Sequence, residues 1–478
     1  MLRIPLLRAG EPYTSLNTVA VADLRTGEPV VEVSHANAGL IAKDLTRQHA
    51  ERPLDGLTTA ELMAICVDAA RRFTDEELPL GDDGQGPDDY LRQLASTTGL
   101  PEVMGQRNME KIRFVLAEME TVLSGLTRGL DWQILDKGFG VQDGRTVSYR
   151  RESGILGAVL PSNSPGVHSL WLPAVALKIA LALKPGRQEP WTPYRVCQAL
   201  LAAGLPPAAV GFYPTDYNGA AEILLRARRS LLFGDRATVE PWENDPGVQI
   251  HGPGWSKVLL CAEESKRWPD HLETIAASVA DNGGRSCINA SGVRACASGR
   301  ELAEGLAERL ARIEARPLDD PEAALAAFPS REAAEAMSAH LDDQLAGGGA
   351  EDLTAKYRDG NRVAEAGGCW FVLPTVVWCD RPDHSLAQAE FLFPFVSVVE
   401  VPEDELVSGL SSTLVATLLA EGPELPVQAM ASPAIDRLNL GSLPTSRVSW
   451  DQPHEGNLFE FLYRQRAFQS PELTAATG

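Results

Sequence analysis

Basic residues are in short supply: the 478 residues hold 43 lysines and arginines against 65 aspartates and glutamates, a formal net charge of −22. Such a surface repels polyphosphate, and no basic cluster is interleaved with aromatics, so no nucleic-acid partner is expected. Any phosphate-bearing ligand must be held by local groups: backbone amides, a helix N-terminus or one or two positioned cations. Long apolar runs are missing too. None nears the roughly 18 residues that a membrane span requires. The opening MLRIPLLRAGEPYTS meets proline and polar residues too early for a secretory core, so neither a span nor an export signal is expected. The seven cysteines (Cys66, Cys197, Cys261, Cys287, Cys296, Cys369 and Cys379) are odd in number, scattered and without a CxxC pair. This argues against a disulfide frame or a zinc site and for reduced thiols in a cytoplasmic protein.

What is there suits a globular α/β chain of two or three domains, with 44% hydrophobic and 23% charged residues. TVAVADL and PVVEVS read as strands and TAELMAICVDAARRF as a helix; MEKIRFVLAEMETVLSGL is helical by its apolar spacing. QILDKGFGVQDGRTVSYRRE reads as a hairpin about its Asp-Gly turn. From residue 154 the pattern changes: GILGAVLPSN is an apolar strand, HSLWLPAVALKIALAL a largely buried helix, and TPYRVCQALLAAGLPPAAVGFYP a helix followed by a strand. That alternation predicts a parallel sheet covered on both faces, with ligands at the carboxyl ends of its strands. A second α/β block is predicted over 261–425, with helices at ELAEGLAERLARI and REAAEAMSAHLDDQL and strands at CWFVLPTVVW and FVSVVEV.

Cys287 lies in ASVADNGGRSCINASGV, flanked by glycines and small residues. Two readings compete on these residues alone. Small neighbours let a buried thiol pack against another element, or they leave a nucleophilic thiolate open to a carbonyl, with backbone N–H groups nearby for the oxyanion.

Five short segments, in order, resemble the aldehyde dehydrogenase superfamily over nearly the whole chain. GAVLPSNSP is similar to its Pro-Trp-Asn-Phe-Pro strand end, ALALKPG to Leu-Lys-Pro-Ser-Glu, and AGLPPAAVGFYP to Ala-Gly-Leu-Pro-Pro-Gly-Val. NGGRSC is similar to Asn-x-Gly-Gln-x-Cys, and FVLPTVVW followed by EFLFP to the Pro-Thr-Val and Glu-x-Phe-Gly-Pro pair. The resemblance implies that Cys287 adds to an aldehyde, that Asn163 and the Cys287 N–H hold the oxyanion, and that hydride transfer to a nicotinamide leaves a thioester. It also implies that Lys184 contacts a cofactor ribose, that Glu390 holds the nicotinamide ribose, and that Gly234 lies under the pyrophosphate. Ordinary roles compete at each position: Asn163 as a turn residue, Lys184 at a helix end, Glu390 as an exposed charge at a strand entry.

The departures from the family pattern are informative. VQIHGPGWSKVLL puts His251 where hydrolytic members carry their general-base glutamate. Branches that pass the acyl group to coenzyme A lack that carboxylate and show Gly-Pro-Gly-type sequences, and FGDRATV and the leucine of EFLFP also resemble acyl-CoA reductases. FVLPTVVW instead resembles the hydrolytic branch. His251 is thus open to three readings: bystander to thiolysis, base for water, or satisfied core histidine. Asp235 replaces the family serine after Gly234, so either the diphosphate lies elsewhere or Asp235 caps the helix. Arg187 stands near a position where NAD-using members place a glutamate; it suits a 2′-phosphate and tilts the cofactor from NAD toward NADP, while Glu189 could reverse that tilt.

The resemblance therefore implies an aldehyde dehydrogenase-like α/β fold. A Rossmann-like NAD(P)-binding domain is expected from 1–130 and 152–260, with 426–449 returning to it. A catalytic domain is expected from 261–425, and a bridging element from 131–151 and 450–478 that builds a homodimer or homotetramer. The implied function is NAD(P)-dependent interconversion of an aldehyde and an acyl-CoA. The alternatives are oxidation of the aldehyde to its acid, or an inactive relative acting as a scaffold. Trp171 and Trp255 are open between an apolar pocket and ordinary core.

Overall fold

The computed structural model describes residues 1–469. Two seven-stranded sheets dominate it. The first runs in the order Val248–His251, Ser230–Phe233, Ile155–Val159, Ala180–Lys184, Val210–Phe212, Leu6–Arg8, Glu11–Tyr13, with the first five strands parallel. Its central strands are apolar on both faces because helices cover both: Thr59–Asp75 and Trp191–Ala202 pack with Tyr217–Ala227 around one large core. The chain leaves Ile155–Val159 in both directions along the sheet, so the crevice where the strand order reverses opens beyond residues 160–163.

The second sheet runs Ala350–Asp352, Thr375–Cys379, Phe395–Glu400, Ala290–Ala295, Ser256–Leu260, Thr413–Leu419, Ile435–Leu440, all parallel apart from the first pair. Trp268–Ala280 and Gly299–Leu310 bury their apolar stripes on one face, and two shorter helices cover the other. Two expected boundaries move. Ser256–Leu260 already belongs to this second sheet. Ile435–Leu440 pairs in parallel with Thr413–Leu419 instead of returning to the first lobe, with the helix Glu424–Ala431 in the connection that a parallel pair requires.

The segment 168–183 also differs from expectation. A short helix, Pro173–Ala176, stops where Lys178 takes a left-handed φ of 61°, and Ala180–Lys184 is a strand of the first sheet. CWFVLPTVVW splits at Leu-Pro into Cys369–Val372 and Thr375–Cys379. The hairpin of Phe139–Gln142 and Arg145–Arg151 turns on Asp143 and Gly144, both at positive φ (50° and 74°), as the right-handed strand twist favours. Tyr463–Gln465 adds a third strand to it. Residues 470–478 of the expected bridging tail lie outside the described residues. No helix of the described residues is long and apolar enough to cross a membrane.

Candidate active site

Cys287 sits on the loop that enters Ala290–Ala295, at the amino ends of the second sheet and facing the carboxyl ends of the first. The preceding turn is tight: Asn282, Gly283 and Gly284 all have positive φ, at 53°, 66° and 69°. Asparagine and glycine tolerate that region and bulkier residues do not. A Cβ at Gly284 would run into the Phe393–Pro394 backbone. Asn282 Nδ2 donates to Ser164 Oγ at 3.0 Å and to Ser286 Oγ at 3.1 Å, and its Oδ1 accepts from Asn108 at 2.7 Å. The Cys287 carbonyl accepts from Ser256 Oγ at 2.9 Å and lies against Gly254, where a Cβ would overlap it. Small residues thus pack the loop closely while the thiol itself stays half-buried.

A cavity of about 370 Å³ opens at this thiol, lined by Asn163, Phe233, Gly234, Asp235, His251, Gly252, Cys287 and Glu390, with Pro161, Ser162, Val167, Pro253, Arg285 and Leu392 completing its wall. Asn163 Nδ2 donates to the Arg285 carbonyl at 2.7 Å, which orients the amide, while its buried Oδ1 has no protein partner. Both Glu390 oxygens accept backbone N–H groups, from Gly254 at 3.1 Å and from Trp255. Burial nevertheless pushes the Glu390 carboxyl up to about 6. Gly234 donates to the His251 carbonyl at 3.2 Å, linking the ends of two strands. Asp235 is an N-cap: its Oδ1 accepts from Thr238 N at 2.9 Å and Thr238 Oγ at 2.7 Å. Of the two readings of Asp235, capping is the one the geometry adopts.

Lys184 and Arg187 line a neighbouring cavity of about 560 Å³ beside His35, Thr215, Asp216 and Trp242. Burial holds the Lys184 ammonium below its usual range, and burial together with Lys184 and Arg187 lowers His35. This cavity therefore brings two cationic side chains, Lys184 and Arg187, together with one carboxylate, Asp216. Glu189 takes no part in it: the side chain is buried, accepting from His168 Nε2 at 2.9 Å and from Thr192 N at 2.8 Å. The reversal that Glu189 could have caused is absent. Trp171 is fully buried, its indole donating to His168 Nδ1 at 3.1 Å, and belongs to the core. Trp255 instead lines a third cavity of about 590 Å³ with His251, Asp436 and Glu455.

His251 is buried and stacks on Phe233, with ring centroids 4.4 Å apart. Its Nδ1 bonds Glu455 Oε2, and the other oxygen of that carboxylate lies 3.3 Å from Cys287 Sγ. Glu455 arrives from a C-terminal loop, Pro453–Gly456, whose backbone is tied down where Gln249 Nε2 donates to the Glu455 carbonyl. Sequence reasoning missed this residue. The local signal, an acid beside histidine and proline in DQPHEGN, says nothing of a contact 204 positions away. His251 and His454, with some help from the Cys287 thiol, hold the Glu455 carboxyl well below its usual range against the opposing effect of its burial. Burial, then Glu455 and Glu390, push the Cys287 thiol well above its ordinary value. Burial lowers His454 to about 4.

Two α/β lobes face each other across the crevice, and the superpositions given below show that this chain has the aldehyde dehydrogenase fold. No family model matches the sequence. The chain is 28% identical over 260 residues to the N-succinylglutamate 5-semialdehyde dehydrogenase of Chromohalobacter salexigens, covering 51% of each chain. It is 23% identical over 302 residues to a putative succinate-semialdehyde dehydrogenase [NADP(+)] 2 of Mycobacterium tuberculosis, covering 59% of this chain and 56% of that one. It thus spans little more than half the length of these curated relatives. Among solved structures, the NAD+ complex of an aldehyde dehydrogenase from Bacillus cereus superposes with a TM-score of 0.75 at 15% identity, covering 97% of this chain and 96% of that one. A succinate-semialdehyde dehydrogenase from Burkholderia pseudomallei does so with a TM-score of 0.77 at 18% identity, covering 97% of each.

Proposed function

We propose that this protein oxidises an aldehyde with NAD(P)+ through a thioester on Cys287. The observation that carries the reading is the convergence of Cys287, Asn163 and Glu390 on one cavity between the sheets, beside a second cavity at the strand ends that Lys184 and Arg187 line. Cys287 Sγ adds to the carbonyl carbon, and the free N–H of Asn163 Nδ2, with the Cys287 backbone N–H, stabilises the oxyanion. Bound NAD(P)+ supplies the hydride acceptor. Glu390 would orient the nicotinamide ribose, Gly234 would lie under the diphosphate, and Lys184 would contact the adenosine ribose. Arg187, exposed at the cavity rim, pairs with a 2′-phosphate, and with Glu189 committed to His168 this favours NADP over NAD. A reducing compartment such as the cytoplasm suits the seven free thiols.

Acyl transfer to coenzyme A is a second reading, favoured by His251 in place of the family glutamate and by Gly252-Pro253-Gly254 in the cavity wall. The packing of Gly254 on the Cys287 carbonyl accounts for one of these glycines without coenzyme A. One assay separates the readings: aldehyde and NAD(P)+ with and without coenzyme A, following reduced nicotinamide. Turnover without coenzyme A, yielding a carboxylic acid, is expected for transfer to water. Strict dependence on coenzyme A identifies the acylating reaction. Cys287→Ala abolishes either one, whereas a scaffold role survives it.

A further inference from the structure

The family's general-base position carries a histidine here, yet the site is not short of a carboxylate. Glu455 reaches the same place from the far end of the chain. Its Oε1 lies 3.3 Å from Cys287 Sγ and its Oε2 bonds His251 Nδ1, so one buried side chain bridges thiol and imidazole. His251 Nε2 is buried as well and has no hydrogen-bond partner in the protein, while the ring lines the cavity that holds the thiol. A buried ring nitrogen without a partner costs stability unless a water or a reacting group meets it.

We infer that Cys287, Glu455 and His251 form an acid–base relay in which Glu455 shuttles the thiol proton and His251 activates water, so that the acyl enzyme is hydrolysed. The inference rests on the aldehyde-oxidising reading above. In the first half, the Sγ–H proton moves to Glu455 Oε1 as sulfur bonds the carbonyl carbon and the carbonyl electrons shift to oxygen. Loss of a hydride from the tetrahedral adduct, which bound NAD(P)+ would accept, leaves the thioester and a protonated Glu455. In the second half, His251 Nε2 takes a proton from water as its oxygen bonds the acyl carbon. The C–S bond then breaks, Glu455 returns its proton to sulfur, and the imidazolium releases one to solvent. Aldehyde, oxidised cofactor and water become acid, reduced cofactor and one proton.

The arrangement answers a difficulty of the site. A thiol that is buried against Glu455 and feels the charge of Glu390 is reluctant to ionise, which makes it a poor preformed nucleophile and its thiolate a poor leaving group. A carboxylate in contact with the sulfur removes both problems by moving the proton within each step: burial favours its protonated form, and a neutral His251 and an acylated sulfur withdraw the imidazolium charge and the thiol hydrogen bond that otherwise lower it. The groups facing Glu455 are His251, His454, Arg437 and Cys287, and Glu390 and Asp436 also feel its charge.

The test uses the full-length protein with Glu455→Gln, which keeps the shape and cannot carry the proton, and His251→Asn. Without cofactor, the difference in thiolate absorbance between each protein and the same protein carrying Cys287→Ala, followed against pH, reports the Cys287 midpoint among the seven thiols. With the acidic neighbour gone, the midpoint falls in Glu455→Gln, so the thiol ionises more readily. Aldehyde oxidation by the same variant nevertheless drops about 10²–10⁴-fold, the usual contribution of general acid–base catalysis. Loss of a merely structural contact does not make the thiol easier to ionise and the enzyme slower at once. In His251→Asn, a rapid burst of one reduced nicotinamide per site precedes slow turnover, because acylation survives and deacylation fails. Unchanged turnover in Glu455→Gln, an unmoved thiol midpoint, or a His251→Asn variant without a burst overturns the relay. A wild-type protein that reduces no cofactor with any of a panel of aldehydes overturns the parent reading, and the relay with it.

Discussion

On the proposed reading, Glu390 couples pH to cofactor binding through one side chain. Burial raises its carboxyl to about 6, while the Gly254 and Trp255 amides favour its ionised form. Above about 6 it is a carboxylate able to accept hydrogen bonds from a ribose diol. As pH falls through that value it protonates and loses part of this capacity. The cofactor KM is therefore expected to rise as pH drops from 7 toward 5, with little change at higher pH. Glu390→Gln should show a raised KM throughout and no step near 6, which initial rates across pH will reveal. Arg187 permits a second test at this scale. Arg187→Glu should lower kcat/KM for NADP about 10-fold or more and leave NAD nearly untouched, since only the former carries a 2′-phosphate for the guanidinium.

Elements show where packing dictates residue choice. Gly254 closes on the Cys287 carbonyl, and that carbonyl is held in turn by Ser256, so the strand Ser256–Leu260 and the nucleophile loop are locked together. Gly254→Ala forces them apart. It is expected to cost about 1–3 kcal/mol of stability by overpacking and to impair turnover through displacement of the thiol, measurable by thermal unfolding and by steady-state rates. Elements also mark how far patterns in the chain can be read. The hairpin was legible because Asp-Gly demands one turn geometry. The strand Ala180–Lys184 was not, because a strand buried on both faces has the same unbroken apolar composition as a buried helix. The decisive break at Lys178 lies in a φ angle that its residue type does not announce.

At the scale of the whole molecule, the three-stranded sheet of Phe139–Gln142, Arg145–Arg151 and Tyr463–Gln465 carries Phe139 and Val141 at 37% and 47% exposure, with Phe139 stacked on Phe468. We propose that this sheet builds the homodimer or homotetramer. Light scattering is expected to give two or four chains per particle, and Val141→Asp to shift the particle toward one chain, because an apolar strand face tolerates no buried charge.

The sequence by itself determined the α/β alternation, the two lobes and the thiol loop. Each is written in local periodicity, in glycine at strained turns and in the short segments around Asn163, Lys184, Cys287 and Glu390. Only the tertiary structure decided that Glu189 is spent on His168, that Asp235 caps a helix, and that Glu455 meets both Cys287 and His251. These outcomes depend on which side chains the folded backbone brings within a few ångströms, and over a separation of 204 residues no pattern along the chain encodes that distance.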